Sequence, residues 1–427
     1  MHKIRRKDDG VQIFNNLDYY DAFDISWTSW EIIKSVKKYG KEKAIQKNSS
    51  LFNISEKESK EDIETVLKNL KSIGKKIEDL PSSVSNLKWS PRTVHFDITP
   101  HCNSKCRYCL SSDVMKDKTE LSTQKILDVV SELPNLETWI FLISGGEPFL
   151  RKDLFEIIGH ADKLNILTQI LTNGTLIDEE IAKKLSLFKY LFLQISLDSC
   201  IPEHHDYHRG VPGSFKKTVQ GLKNLKKYGV KTETGMVITR HNLNDIEETA
   251  SFLYNLGIKN VRIAPVVTYR GKGLKNQDEF SLSLEEIKFV SRKIIKLNKK
   301  YQGKLCFLPT REFVVFNAKP TTTKMPKCPI SRSLIYIAPN GLVYPCIGTA
   351  HPQFSIGDIK KDTLTQIWKT SSLLKKIRYL TTDDIKKCSS CKFKKLCTGG
   401  CRADSYKYFK TLFAHDPLYC AYFKSKK

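Results

Sequence analysis

No run of about 18 apolar residues occurs anywhere in this sequence, so no segment has the length a membrane-spanning helix needs. The N-terminus, Met1-His-Lys-Ile-Arg-Arg-Lys-Asp-Asp9, has no apolar stretch behind its charges and does not read as a signal peptide. The expectation is a cytoplasmic protein without a membrane partner. Acidic residues are also scarce: 46 Asp and Glu face 71 Lys and Arg, a formal net charge of +25. An excess of that size can mark a nucleic-acid binder. However, the lysines are dispersed (Lys34, Lys37 and Lys38; Lys223, Lys226 and Lys227; Lys299 and Lys300), with no basic block and no interleaved aromatics. They read as a solvated surface, and nucleic acid is not expected as a partner.

Cysteine is what the chain has in excess. Twelve cysteines in a long, non-secreted chain point to metal ligands rather than disulfides. Ten fall into two groups, 102–109 and 328–420, while Cys200 and Cys306 stand apart. A length of 427 residues and a mean hydropathy of −0.36 suit two or three soluble domains. From 93 to 305 the pattern alternates strand and helix. Strands are expected at Thr93–Thr99, Thr138–Ser144, Ile166–Thr172, Leu191–Leu197, Thr232–Ile238 and Asn260–Val266. Helices are expected near 123–133, 152–161, 178–187, 215–228, 244–256 and 284–299. Six such units imply an α/β fold with a parallel sheet. Ahead of them, Val11–Phe14 and Tyr19–Phe23 flank an Asn15-Asn16 hairpin signal. Thr28-x-x-Glu31 opens a helix over Ser29–Tyr39, which Gly40 stops. A second helix is expected near Ser59-x-x-Asp62, with Ile63, Val66, Leu67, Leu70 and Ile73 on one face. Residues 81–92, around Leu80-Pro-Ser-Ser-Val-Ser-Asn86, read as a linker.

The first cysteine group, Cys102-x3-Cys106-x2-Cys109, offers three thiolates within eight residues, directly after an extended segment. Three ligands fill three corners of a cubane cluster and leave one iron open. Half of a zinc site is the alternative, but zinc prefers closed Cys-x2-Cys pairs. This segment resembles the signature of the radical S-adenosylmethionine (SAM) superfamily, where the open iron chelates SAM and the reduced cluster cleaves it to a 5′-deoxyadenosyl radical. Strand-end residues extend the resemblance: Ser144-Gly145-Gly146-Glu147-Pro148 after the second strand, Thr172-Asn173-Gly174 after the third, and Ser196 and Asp198 at the fourth. Gly145 and Gly146 leave room for close backbone approach, so that successive amides can face a polar ligand. By resemblance, the Gly-Gly-Glu-Pro stretch binds the amino end of SAM's methionine, Asn173 and Ser196 lie near its carboxylate or ribose, and Tyr108 sits beside the adenine. The fold implied is a partial (β/α)6 barrel over 93–305. His204–Gly210 lacks the spacing of a metal site and is expected to be structural or substrate-lining.

The later cysteines, Cys328, Cys346, Cys388, Cys391, Cys397, Cys401 and Cys420, are similar in spacing to the SPASM domain, placed here at 306–427. That resemblance implies two auxiliary [4Fe–4S] clusters, three clusters in all. Cys388, Cys391, Cys397 and Cys420 would close one; Cys328, Cys346 and Cys401 would hold another. Some relatives carry a further cysteine where this chain has Thr322, so the fourth ligand is either Cys306 or an iron left open to a peptide thiolate. Residues 1–80 resemble the winged-helix-like PqqD domain, in which a leader peptide adds as a strand to the hairpin edge. The whole chain resembles sactipeptide-type maturases, oxidoreductases that join cysteine sulfur to a peptide carbon as a thioether. A precursor peptide is then the substrate, and flavodoxin or ferredoxin the reductant. Other radical peptide modifications (carbon–carbon or carbon–oxygen cross-links, decarboxylation, epimerisation) use the same architecture. Sulfatase maturation is disfavoured, because Ile347 follows Cys346 where those enzymes carry an aspartate. No residue stands out as the catalytic base.

Overall fold

A computed structural model describes residues 2–7, 10–15, 18–72, 89–310, 312–313 and 328–424, in two compact units that divide between Trp89 and Ser90. In the first unit, strands β1 (His2–Lys7), β2 (Gly10–Asn15) and β3 (Asp18–Ser26) form an antiparallel meander. Helices α1 (Trp27–Tyr39), α2 (Lys41–Phe52) and α3 (Glu56–Ser72) follow. Their apolar stripes meet in a core of Ile32, Ile33, Ala44, Ile63, Val66 and Leu70. The hairpin and the positions Ile63, Val66, Leu67 and Leu70 on α3 match expectation, Ile73 lies outside the described residues, and β1 and α2 were not expected. Ser59 does not open α3. Ser55 and Glu58 do, through reciprocal bonds of 2.9 and 3.2 Å, while Ser59 is buried and donates to the Ile45 carbonyl at 2.8 Å. Of the expected linker, 81–88 lies outside the described residues.

The second unit is built on one twisted sheet, ten strands wide among the described residues. Strands β4 (Thr93–Thr99), β5 (Ile140–Gly145), β6 (Leu167–Thr172), β7 (Leu191–Ser196), β8 (Thr232–Ile238) and β9 (Asn260–Pro265) run parallel in chain order. The helices between them are α4 (Thr123–Glu132), α5 (Leu154–Lys163), α6 (Glu179–Leu185), α7 (Pro202–Arg209), α8 (Ser214–Lys227) and α9 (Ile246–Asn255). This is the expected partial barrel, with strand positions right to within two residues. The 305/306 boundary needs correction: Cys306–Pro309 forms β10, a further parallel strand against β9.

Period-two alternation sorts the sheet into two chemistries. One face carries Val94, Phe96, Ile98, Phe141, Ile143, Ile170, Leu193, Ile195 and Val261, all buried. In register on the other face lie Asp97 opposite Ser144, Leu142 opposite Gln169, Gln194 opposite Glu233, and Gly235 opposite Arg262. Glu233 accepts from Gln169 at 3.2 Å and pairs with Arg262 at 3.5 Å, so this polar layer is connected.

The remaining strands are β11 (Leu334–Ile337), β12 (Leu342–Tyr344) and β13 (Gly357–Asp358). β11 lies parallel to β4, and β12 and β13 follow antiparallel. Tyr336 on β11 donates to Asp97 on β4 at 2.7 Å. Glu132 at the end of α4 accepts from Leu364 and Thr365 at 3.1 and 2.8 Å, at the start of helix Leu364–Thr370. The stretch 334–358 of the C-terminal segment is therefore part of the barrel's own sheet.

Candidate functional site

The loop carrying Cys102, Cys106 and Cys109 leaves the C-terminal end of β4, where parallel-sheet enzymes place their chemistry. Neighbouring strand ends grip it through its backbone. The Gly146 amide donates to Thr99 O and the Glu147 amide to His101 O, each at 2.7 Å. Lys105 and Arg107 donate to the carbonyls of Arg209 and His208 at 2.9 and 3.0 Å, and Lys272 donates to Cys109 O at 2.9 Å. The approach at Gly146 is so close that a Cβ there would lie 1.8 Å from His101 O. The sequence suggested that the Gly145 and Gly146 amides face a ligand; the Gly146 amide, with that of Glu147, is instead spent on the cysteine loop. An ammonium group is in any case served by carbonyl oxygens rather than N–H donors.

None of the twelve cysteines is joined in a disulfide. Burial, with a smaller contribution from neighbouring Cys106, pushes the Cys102 thiol up to about 11 and the Cys109 thiol up to about 12. Metal loading must therefore displace protons here. Arg209 lies 3.9 Å from Cys106 Sγ and offsets negative charge that collects on the sulfurs. Among the described residues, no three metal-ligating side chains converge closely enough for a single ion. Three thiolates on one loop suit a cubane cluster that keeps one iron open.

The strand-end residues have partners the sequence could not show. Glu147 is buried and accepts from Phe149 N, Thr172 Oγ1 and Asn173 N at 3.2, 2.7 and 2.9 Å. Burial still raises its pKa to about 6. Its carboxylate is engaged inside the protein, locking β5 to β6. Asn173 donates from Nδ2 to Asn103 and Ser104 of the cysteine loop at 2.7 and 3.2 Å. Asp198, expected at the cofactor, is instead a fully buried hub. It pairs with Arg209 at 2.8 Å and accepts from Tyr108 Oη and from Val237 N at 3.0 Å. Burial opposes its ionised form, but Arg209, then His208 and His205, outweigh it and hold its pKa below the usual value. Tyr108, expected beside an adenine, is enclosed by Val266 and Phe280, with His208 edge-on at 5.7 Å. Ser144 and Ser196 are half-buried and have no partner among the described residues. Arg209 was missed as a site residue; its signal was the His-Asp-x-x-Arg-Gly run, read as structural or substrate-lining.

In the C-terminal segment, Cys328 and Cys346 pack on Ile330, Ile377 and Leu412. Burial lifts Cys346 to about 11, and Cys328 adds to the shift. Cys401 precedes helix Arg402–Phe409, which packs against the Ile347–Thr349 turn: a Cβ at Gly348 would lie 2.9 Å from that of Ala403. Burial raises the Cys388 and Cys397 thiols, and Cys420 is close enough to raise both further; Cys391 also raises Cys388 and donates its amide to Cys388 O at 3.0 Å. Asp416 ties the two groups, accepting from Cys401 N at 2.8 Å while its carbonyl accepts from Cys420 N at 3.1 Å. Cys306 pairs with Asn260 at the N-terminal end of the strands and donates to Gly303 O, with no contact to Cys328 or Cys346 among the described residues. Thr322 lies outside the described residues. Cys200 stands apart, its amide bound to Thr249.

Comparison with known proteins follows the same division. The profile of the radical SAM superfamily matches residues 96–253, and that of the SPASM iron–sulfur cluster-binding domain matches 328–392. Mycofactocin maturase MftC of Mycolicibacterium smegmatis is 30% identical over 322 residues, 74% of this chain and 79% of that protein. The AdoMet-dependent heme synthase of Methanosarcina barkeri is 27% identical over 352 residues, 79% of this chain and 98% of that protein. Streptococcus suis SuiB, crystallised with S-adenosylmethionine, superposes with a TM-score of 0.73 at 18% identity, covering 98% of each chain. Among the described residues no helix is long and apolar enough to cross a membrane. The chain belongs to the radical SAM superfamily, as an enzyme with a SPASM domain that takes S-adenosylmethionine and [4Fe–4S] clusters as its cofactors.

Proposed function

We propose that this enzyme oxidatively modifies a ribosomally made precursor peptide, forming cysteine thioether cross-links. The observation that carries the reading is architectural: the likeness to SuiB, also crystallised bound to its precursor peptide SuiA, extends over 98% of this chain. The heme synthase is accounted for to 98% of its length by 79% of this chain, which leaves this chain with structure that protein does not match. The first unit, with its three-stranded antiparallel meander and three helices, suits the peptide-binding role expected of residues 1–80.

When bound, S-adenosylmethionine and its cluster supply hydrogen-atom abstraction from unactivated C–H bonds. This chain's residues provide the setting. Cys102, Cys106 and Cys109 hold the first cluster, and Arg209 balances its charge. Ser144 and Ser196 offer unpartnered hydroxyls beside the loop, and Gly145, Gly146 and Glu147 carry backbone carbonyls there. Asn173, Tyr108 and Asp198 act as positioning residues that fix the loop to β6 and β7. Cys388, Cys391, Cys397 and Cys420 close one auxiliary cluster; Cys328, Cys346 and Cys401 hold the other and leave one position for a substrate thiolate, since Cys306 lies elsewhere. Mössbauer spectra that stay unchanged on adding a cysteine-containing peptide would remove that last assignment.

Coexpression with the peptide encoded by a neighbouring short reading frame tests the function. Mass spectrometry should show a loss of about two hydrogens per cross-link, abolished when Cys102, Cys106 and Cys109 are replaced by alanine. Loss of carbon dioxide, or an unmodified peptide beside active enzyme, would overturn the thioether reading.

A further inference from the structure

An apolar patch lies beside the last group of cysteines. Of the twelve large apolar side chains exposed among the described residues, four fall between 408 and 418: Tyr408, Phe409, Phe413 and Leu418, at 37–48% exposure. They crowd one corner, where helix Arg402–Phe409 turns back into helix Pro417–Lys424. Phe409 lies against the His415 ring, 4.4 Å between centroids, and Leu418 donates its amide to Asp416 Oδ1 at 2.9 Å. Clustered exposed aromatics with a polar rim mark a contact surface.

Short steps join this patch to the cysteines. Leu418 precedes Cys420 by two residues on the same helix, and His415 meets Lys387 Nζ at 3.2 Å, next to Cys388. Cys397 packs on Tyr419, Tyr422 and Phe423 of that helix, while Cys391 and Cys420 are half-buried, so the group reaches the surface. Four cysteines leave no iron open to a substrate, and a cluster ligated in this way moves electrons. The rim is positive. Lys386, Lys387, Lys392, Lys395 and Lys410 are exposed, whereas the acids between 386 and 423, Asp404 and Asp416, are buried. A partner that fits is negatively charged, apolar at its contact and able to take an electron.

We propose that the patch around Phe409 and Phe413 docks a small acidic iron–sulfur carrier protein in its oxidised form, which removes the electron released by substrate oxidation. This rests on the thioether-forming function proposed above. Each cross-link breaks one C–H and one S–H bond and forms one C–S bond. The hydrogen atom leaves to the 5′-deoxyadenosyl radical, the thiol proton to solvent, and the remaining electron through the auxiliary clusters to the carrier. An iron–sulfur carrier takes one electron at a time, which matches that single electron. Reductive cleavage of S-adenosylmethionine consumes one electron, so a carrier reduced at the patch returns what the first cluster spends.

The test titrates the full-chain holoenzyme, without oxygen, with an acidic oxidised [2Fe–2S] ferredoxin and follows the heat of binding. A basic cytochrome c, a flavodoxin and a peptide alternating Glu and Leu serve as comparisons. Wild type should bind the ferredoxin with an affinity that falls as salt rises, and ignore the cytochrome. K387E/K410E should weaken binding at least about tenfold and flatten the salt slope, and F409S/F413S should weaken it as much with the slope unchanged. All four side chains are exposed, so both variants should keep the iron content and thermal midpoint of wild type. Electron transfer is read separately in a protein with Cys102, Cys106 and Cys109 replaced by alanine, which lacks the first cluster. Once reduced, it should pass electrons to ferredoxin in a stopped flow, at least about tenfold more slowly with either pair of patch substitutions. Unchanged binding in both variants overturns the proposal, as does a flavodoxin or Glu–Leu peptide that binds more tightly than ferredoxin at the same residues. If thioethers form while the variants bind ferredoxin normally, the docking surface fails and the function stands. If the patch binds ferredoxin but no thioether is ever formed, the function fails and the surface stands.

Discussion

His205 packs edge-on to Phe215 and receives the Asp198 amide on Nδ1 at 3.3 Å, at 1% exposure. Burial, then the nearby Arg209 charge, pushes its pKa down to about 4, although Asp198 and Asp206 pull the other way. A histidine with a lowered folded-state pKa gives stability that is present above its unfolded value and lost as pH falls. Between pH 6.5 and 4, wild type should therefore lose about 3 kcal/mol relative to His205→Gln, which keeps the acceptor without the titration. Urea unfolding of both proteins across that range checks it; parallel curves would refute it. At this scale the cysteines were legible because their ligand spacing is local. The roles of Glu147 and Asp198 were not, because their partners, Thr172, Asn173, Arg209 and Val237, come from other strands and helices. A carboxylate at a strand end looks the same in sequence whether it faces a ligand or an internal arginine.

The strand ends act as clamps on one loop. Gly146 meets His101 O more closely than any side chain permits, so Gly146→Ala must displace either the Gly-Gly-Glu-Pro turn or the backbone beside Cys102. The expected result is loss of the first cluster alone: bound iron falls by about a third, and 5′-deoxyadenosine formation stops. The auxiliary clusters keep their absorbance, since their cysteines lie on other elements. Full iron content in this variant would refute the clamp. Elements with a strong period were found in sequence almost residue for residue, Thr93–Thr99 and Thr232–Ile238 among them. β1 was missed because His-Lys-Ile-Arg-Arg-Lys has one apolar side chain and thus no alternation. α2 was missed because Lys41–Phe52 buries only Ala44 and Asn48, a stripe too thin to register.

At the scale of the molecule, the break at Trp89/Ser90 separates two units, each with its own core. Residues 90–427 alone should fold, bind the clusters and cleave S-adenosylmethionine without a peptide, while peptide modification falls below detection. Chromatography of 5′-deoxyadenosine beside mass spectrometry of the peptide measures both; full peptide processing by the shortened chain would refute the division of labour. The alternation of strand and helix made the barrel legible from sequence. Its fusion with the SPASM segment was not, because the pairing of β11 with β4 joins Leu334 to Thr93 and leaves no local pattern. That pairing has a consequence during synthesis. Ribosomes add about 5–20 residues per second, so β4 waits on the order of 10–50 s for β11 to be made. Until then one whole edge of a strand rich in Val94, Phe96 and Ile98 stands open beside every other nascent chain on the message. The last third of the chain is thus the barrel's protection against its own neighbours, and slow translation or scarce chaperones would tax this protein before any cofactor is in question.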